Sequence, residues 1–136
     1  MSTTLEKAIF ADLEKEQYIA LTTFRKTGQA VTTPVIFAQS IGTIYVGTRA
    51  DAGKLKRLRR SGRVTLAPCS YSGKVTGSVI AGNARILTES EESTAASTAL
   101  AKKYGVMLSL TKTAWRLLHR KAKADEVYIA IEPIAG

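Results

Sequence analysis

The residues with the plainest chemical potential lie between Thr48 and Arg60, in the run TRADAGKLKRLRR. Asp51 reads as a helix N-cap, because its carboxylate can accept from free amides of a first turn. Lys54 then falls within that turn, where a cation opposes the positive end of the helix dipole. A bound anion reverses the sign. Orphan amides, the lysine ammonium and the hydroxyl of Thr48 together would make a phosphate site. Gly53 has no side chain, so a ligand could come close to the backbone. The same run also describes a solvated basic helix whose Leu55 and Leu58 share one inward face. The stretch alone supports both readings equally.

Other chemistries find little support. His119 is the single histidine and Cys69 the single cysteine, far apart in the chain, so no metal site is expected. His119 sits among cations and reads as a surface residue rather than a base. Cys69, beside Pro68, reads as a partly buried bystander. Glu89, Glu91 and Glu92 read as charges favoured at a helix start, not as an acid–base pair. Neither G-x-x-x-x-G-K-[ST] nor G-x-G-x-x-G occurs, which removes two common nucleotide-binding folds. With no catalytic side chain in view, chemistry would fall to a cofactor, and Thr48 and Lys54 would anchor it.

Elements to position these residues can be read in order. Residues 4 to 16 have Leu5, Ile9 and Leu13 at four-residue spacing, an amphipathic helix. Tyr18 to Phe24 and Ala30 to Ala38 read as a hairpin across Lys26-Thr27-Gly28-Gln29. Pro34 cannot donate to a ladder, so it marks an edge, a bulge or a place where something other than a strand lies alongside. Thr43 to Gly47, Arg63 to Ser70, Val75 to Leu87 and Val127 to Ile131 are further strands. Gly77 and Gly82 interrupt the fifth, which suggests a bulge or a close approach by a ligand. Thr88-Glu89-Ser90-Glu91 fits a capping box, opening a helix that runs to about Tyr104 with Gly105 as its cap. Another helix is expected over 108 to 121. Six strands with mostly short links suit a mainly β fold, a small antiparallel barrel with helices at its ends. No linker divides residues 1–136, which read as one domain.

The chain carries 20 lysines and arginines against 11 carboxylates, net +9 at pH 7, which favours an anionic partner. Arg49 to Arg63 holds seven cations and one carboxylate, and Arg116, His119, Arg120, Lys121 and Lys123 form a second cluster. The opening residues are too charged for a signal peptide, and no apolar run has the roughly 18 residues of a membrane span. One cysteine fits a reducing cytoplasm. The expectations are a cytoplasmic protein without membrane or nucleic-acid partners. Aromatic residues do not interleave with the basic run as single-strand binding needs, which leaves nucleic-acid binding a distant alternative.

Three stretches, TTFRKTGQAVTTPVIFA, IYVGTRADAGKLKRLRRSGRVTLAPC and GNARIL, resemble the split-barrel flavin-binding proteins of the pyridoxamine-phosphate-oxidase-like superfamily. They are most similar to the branch that uses the deazaflavin coenzyme F-420 rather than FMN. The resemblance implies a six-stranded antiparallel split β-barrel acting as a homodimer, with cofactor sites at the dimer interface. It implies that Thr48 and Lys54 hold the cofactor phosphate, that Thr32, Thr33, Pro34 and Val35 run beside the ring, and that Arg57, Arg59 and Arg60 add charge toward the phosphate or an acidic tail. No side chain is assigned a catalytic role. Two departures speak against pyridoxamine-phosphate oxidation itself: Gly53 stands where those oxidases have arginine before the lysine, and the ending EVYIAIEPIAG lacks their arginine- and histidine-containing substrate motif. The implied function is hydride transfer between F-420 or FMN and a small organic substrate. A non-catalytic FMN-binding module is the alternative.

Overall fold

The computed structural model describes residue 13 and residues 16–40, 42–88, 90–108 and 126–134. Six strands close into one antiparallel barrel: β1 (Tyr18–Phe24), β2 (Ala30–Ser40), β3 (Thr43–Arg49), β4 (Arg63–Cys69), β5 (Ile80–Ile86) and β6 (Glu126–Pro133), in spatial order β1-β2-β3-β6-β5-β4. Helix α1 (Gly53–Arg60) joins β3 to β4, and helix α2 (Ser90–Leu108) follows β5. The expected first helix lies outside the described residues apart from Leu13 and Glu16. Residues 109–125 also lie outside them, and with them the expected helix past residue 108 and the whole second basic cluster, Arg116, His119, Arg120, Lys121 and Lys123.

Alternation along the strands puts one apolar set inside. Ile19 and Leu21, Phe37, Ile44 and Val46, Val64 and Leu66, and Ile129 and Ile131 are all essentially inaccessible and form one core with Leu13. Each such side chain contributes about 1.5–3 kcal/mol on burial. Close packing explains two glycines. A Cβ at Gly82 would lie 2.8 Å from an Ile131 methyl, and one at Gly77 would lie 2.6 Å from Pro68 Cγ. The protein's own side chains, rather than a ligand, make the close approach at both positions. The fifth strand accordingly starts at Ile80 instead of Val75. The preceding residues fold as a separate small hairpin, with Cys69 bridged to Val75 and the Thr76 amide donating to the Pro68 carbonyl at 2.9 Å.

The barrel does not pair along its whole height. β1 pairs with β2 from Tyr18↔Ile36 to Phe24↔Ala30, whereas β2 pairs with β3 only over Phe37–Ser40 and Val46–Thr43. Beyond Phe37↔Val46 the strands part, so residues 30–36 and 47–49 form two lips of an opening. Pro34 lies on the first lip, opposite Ala20 on its paired side. An edge was one of the places a proline could occupy in a strand, and this edge is where it sits.

The helices take different places from one another. α1 sends Leu55 and Leu58 into the barrel core and so plugs one end. α2 lies along the outside instead, against β2, β3 and β6. There Leu100 and Tyr104 pack on Ala38, and Ala96 packs with Tyr45, Leu87 and Ala130. Of the two described helices only α1 stands at an end of the barrel: α2 covers an outer face where Ala38 and Ala130 are small enough to let it lie close. α2 also runs through Gly105 to Leu108, past the expected cap. Tyr104 fixes this part of the helix. Its hydroxyl accepts from the Phe37 amide at 2.9 Å and donates to the Gln17 carbonyl at 2.5 Å, and Lys103 Nζ lies 3.3 Å above the Phe37 ring.

Candidate functional site

The first turn of α1 is left electrostatically open. Its N-cap is Ala52, in extended conformation, with no side-chain cap, and no acidic residue stands in the turn. Asp51 does not cap the helix as its position suggested. Its carboxylate turns back to Arg49, whose Nε donates to Oδ1 at 3.2 Å. The Leu55 amide reaches the Ala52 carbonyl at 3.1 Å, but the amides of Gly53 and Lys54 precede any intrahelical acceptor. Lys54 does fall in the first turn, half-buried. Burial, and then the nearby charge of Arg57, hold its ammonium below the ordinary lysine value.

Arg57, one turn on, is also half-buried. Its Nε donates to Thr23 Oγ1 at 2.5 Å, and Thr23 is 1% exposed at the top of the barrel interior. Burial first, then Arg25 and Arg60, lower the basicity of this guanidinium. Three cations from two elements thus crowd the same end of the barrel. Arg60 donates to the Phe24 carbonyl at 2.5 Å, which ties the helix to the β1–β2 hairpin. Arg63 stands over the Phe24 ring, 5.5 Å from its centroid.

A Cβ built on Gly53 would lie 3.0 Å from an Arg57 guanidinium nitrogen. The space beside Gly53 that looked open to a ligand is thus bordered by Arg57. Sequence reasoning missed this contact, and Thr23 with it. The two residues are 34 positions apart, and no local pattern joins them.

The remaining expected site residues line the opening in the barrel. Thr48 lies on the same strand face as Ile44 and Val46, 8% exposed, on the lip that β3 forms. On the other lip, Thr32 and Pro34 face outward and are exposed, while Val35 is buried in the core. Val35 therefore has only its backbone to offer. Thr32 Oγ1 is 2.7 Å from Thr22 Oγ1, and Thr33 is half-buried. Thr48 lies near the end of β3, which leads into α1 and Lys54, and Thr32 to Val35 lie on the stretch of β2 that β3 does not pair. Arg57 is bonded to Thr23, which pairs with Val31 on β2. Arg59 is exposed.

Cys69 is buried, and burial, then Glu16, push its thiol above its ordinary value, which suits the bystander reading. Glu92 does more than favour a helix start: it accepts both terminal nitrogens of Arg85 at 2.7 Å. Among the described residues no group of three histidine, cysteine or carboxylate side chains could hold a metal. No described helix is long and apolar enough to cross a membrane.

The fold has solved counterparts. A conserved hypothetical protein of Mycobacterium tuberculosis superposes with a TM-score of 0.68 at 22% identity, covering 98% of this chain and 81% of that one. The heme storage protein HutZ of Vibrio cholerae gives 0.63 at 14%, covering 98% and 93%. General Stress Protein 26 of Bacillus anthracis gives 0.61 at 16%, covering 96% and 90%. Identities this low speak for shared architecture alone. No curated protein matches in sequence. The pyridoxamine 5'-phosphate oxidase family matches residues 5–135, nearly the whole chain, and the protein belongs to that family.

Proposed function

We propose that the gap between β2 and β3 takes a phosphate-bearing flavin or deazaflavin, coenzyme F-420 or FMN, and that the protein is an oxidoreductase acting on a small organic substrate. The observation that carries this is the first turn of α1. It is uncapped and free of acids, yet Lys54 and Arg57 are half-buried against it. Like charges held together below their ordinary basicity lower the stability of the ligand-free chain. An anion at the amides of Gly53 and Lys54 offsets that cost. Thr48 adds a hydroxyl on the adjoining lip.

The bound ring would supply the hydride chemistry. The residues of this chain bind and orient it. Lys54 and the α1 amides hold the phosphate, and the exposed outer edge of β2 at Thr32 to Pro34 offers backbone groups to the ring's polar rim. Val35 and Phe37 close the barrel behind it. Of the two cofactors we favour F-420, because Arg59 and Arg60 add positive charge beyond Lys54 and Arg57, which suits a longer acidic tail than one phosphate.

The same reading makes the protein a cytoplasmic homodimer. Tyr71 is 78% and Val79 64% exposed on the connection between β4 and β5, and Gly73 in that connection approaches Pro34 Cδ. An apolar surface beside the cofactor edge is suited to a second copy that completes the cofactor site. Absorbance and fluorescence titrations with F-420 and FMN, followed by reoxidation of the reduced complex on a substrate panel, test the proposal. Binding with turnover supports it. Binding without turnover leaves a cofactor-binding module, and binding of neither removes it.

A further inference from the structure

We infer that Thr23 is a positioning residue: by holding Arg57 over Gly53 it completes a two-cation clamp, Lys54 with Arg57, for a phosphate group. The inference rests on the preceding reading that the start of α1 receives a phosphate, and it adds a residue and a selectivity to it.

Three observations meet here. The Thr23 hydroxyl accepts from Arg57 Nε at 2.5 Å, which leaves the terminal guanidinium nitrogens directed elsewhere. One of these nitrogens is 3.0 Å from where a Cβ on Gly53 would be, so it stands beside the first turn and its unpaired amides. Thr23 is 1% exposed and pairs with Val31 across the hairpin, one residue past the end of β1's pairing with β4 at Thr22↔Thr65, so the anchor is buried and held against β2. A long arginine chain loses side-chain entropy when a ligand immobilises it. Here the buried hydroxyl restrains the chain beforehand, and a planar guanidinium with free nitrogens matches two phosphate oxygens.

The arrangement also gives Gly53 a reason. Any side chain there would contest the space Arg57 occupies. In this chain the second cation comes from one turn further along the helix and is steered back by a threonine on β1. The ligand carries a phosphate group, whether on a ring-bearing cofactor or as free inorganic phosphate.

The test measures thermal stabilisation by inorganic phosphate at pH 7.5, against chloride at matched ionic strength, on the full chain. Variants are Thr23→Val, which keeps the volume and loses the hydroxyl, Thr23→Ser, which keeps the hydroxyl, and Thr22→Val as a control. FMN and riboflavin titrations of the same proteins separate phosphate on a cofactor from free phosphate. Thr23→Val should weaken phosphate binding roughly tenfold, with Thr23→Ser and Thr22→Val close to the parent and riboflavin unaffected throughout. Gly53→Ala, whose Cβ would press on the Arg57 guanidinium from 3.0 Å without touching Thr23, should lower phosphate affinity as well.

Equal phosphate affinity in Thr23→Val and the parent overturns the clamp, as does no phosphate response in the parent. If Thr23→Val proves unfolded, Gly53→Ala and Thr23→Ser decide, since the clamp requires the first to lose affinity and the second to keep it. A phosphate response that depends on Thr23, without binding of FMN or F-420, sustains the clamp while removing the proposed cofactor.

Discussion

The two helices treat their charges in opposite ways. α2 begins with Glu91 and Glu92 in its first turn, where the dipole favours anions. Glu92 is further tied to Arg85 from β5, with Arg85 also 3.5 Å from Glu132. α1 begins with no acid and no cap, and its last turn carries Arg57, Arg59 and Arg60. Its cations are answered by neutral oxygens, Thr23 Oγ1 and the Phe24 carbonyl. α2 is thus neutralised within the protein and serves the fold. α1 keeps an unneutralised first turn beside an opening in the barrel, a departure from local stability that points to a bound anion.

The largest effect should come from what holds α1 in place. Leu55→Ala removes a wholly buried side chain and should cost about 2–5 kcal/mol in denaturant unfolding. Cofactor affinity should fall with it, because the leucine faces fix the helix that carries Lys54. On α2, Tyr104→Phe leaves the Phe37 amide and the Gln17 carbonyl without their partner. It should cost about 1–3 kcal/mol while sparing cofactor binding by the folded fraction. A loss of binding as large as for Leu55→Ala would break the division of labour between the helices.

Stability against pH separates the helices more finely. Hydrogen bonding from Arg85 lowers the Glu92 carboxyl below the ordinary 4.5. Its folded pKa is depressed, so the stabilisation is present above that value and lost as pH falls through the lower folded one. Glu92→Gln should flatten the acid limb. The cost at pH 7 should be only about 0.2–1 kcal/mol, since Arg85 is half-exposed and the pair is screened. Lys54 has the same sign of slope but the opposite effect at pH 7. Its folded pKa is also depressed, below the ordinary 10.5, so the unfolded chain again binds the proton more tightly, and for a base this penalises the charged form present at pH 7. Stability of the ligand-free protein should therefore rise as pH climbs through the folded value toward 10.5. Lys54→Met should remove that rise and leave stability at pH 7 unchanged or higher. Thermal unfolding across pH checks both signs.

Much of this arrangement was legible along the chain because it is written in local signals. Runs of β-forming residues between turns announced the strands, Pro34 announced an edge, a bulge or a foreign neighbour, of which the edge is present, and Leu55 with Leu58 announced the inward face of a short basic helix. Lys54 was recognisable as a first-turn cation for the same reason. What local reading lost depended on which partner each side chain takes, in one case a near neighbour and otherwise a residue distant in sequence. Asp51 has the composition of a cap, yet Arg49 two residues earlier takes its carboxylate. Gly105 has the composition of a stop, yet Tyr104 is bonded to β2 and to Gln17, and the helix continues. The hydrogen bond from Arg57 to Thr23 exists only because the barrel closes with α1 against β1. The family resemblance supplied the split barrel and the residues along its opening. It did not supply the way Arg57 is steered.

The most direct test of the central claim is a paired titration of the parent protein and Lys54→Ala with F-420, and separately with FMN, followed by absorbance and fluorescence. The account predicts that the parent binds a phosphate-bearing cofactor, F-420 more tightly than FMN, and that Lys54→Ala loses about 1–3 kcal/mol of that affinity, the scale of a charged hydrogen bond. Equal affinity in the two proteins, or no binding of either cofactor, would contradict it.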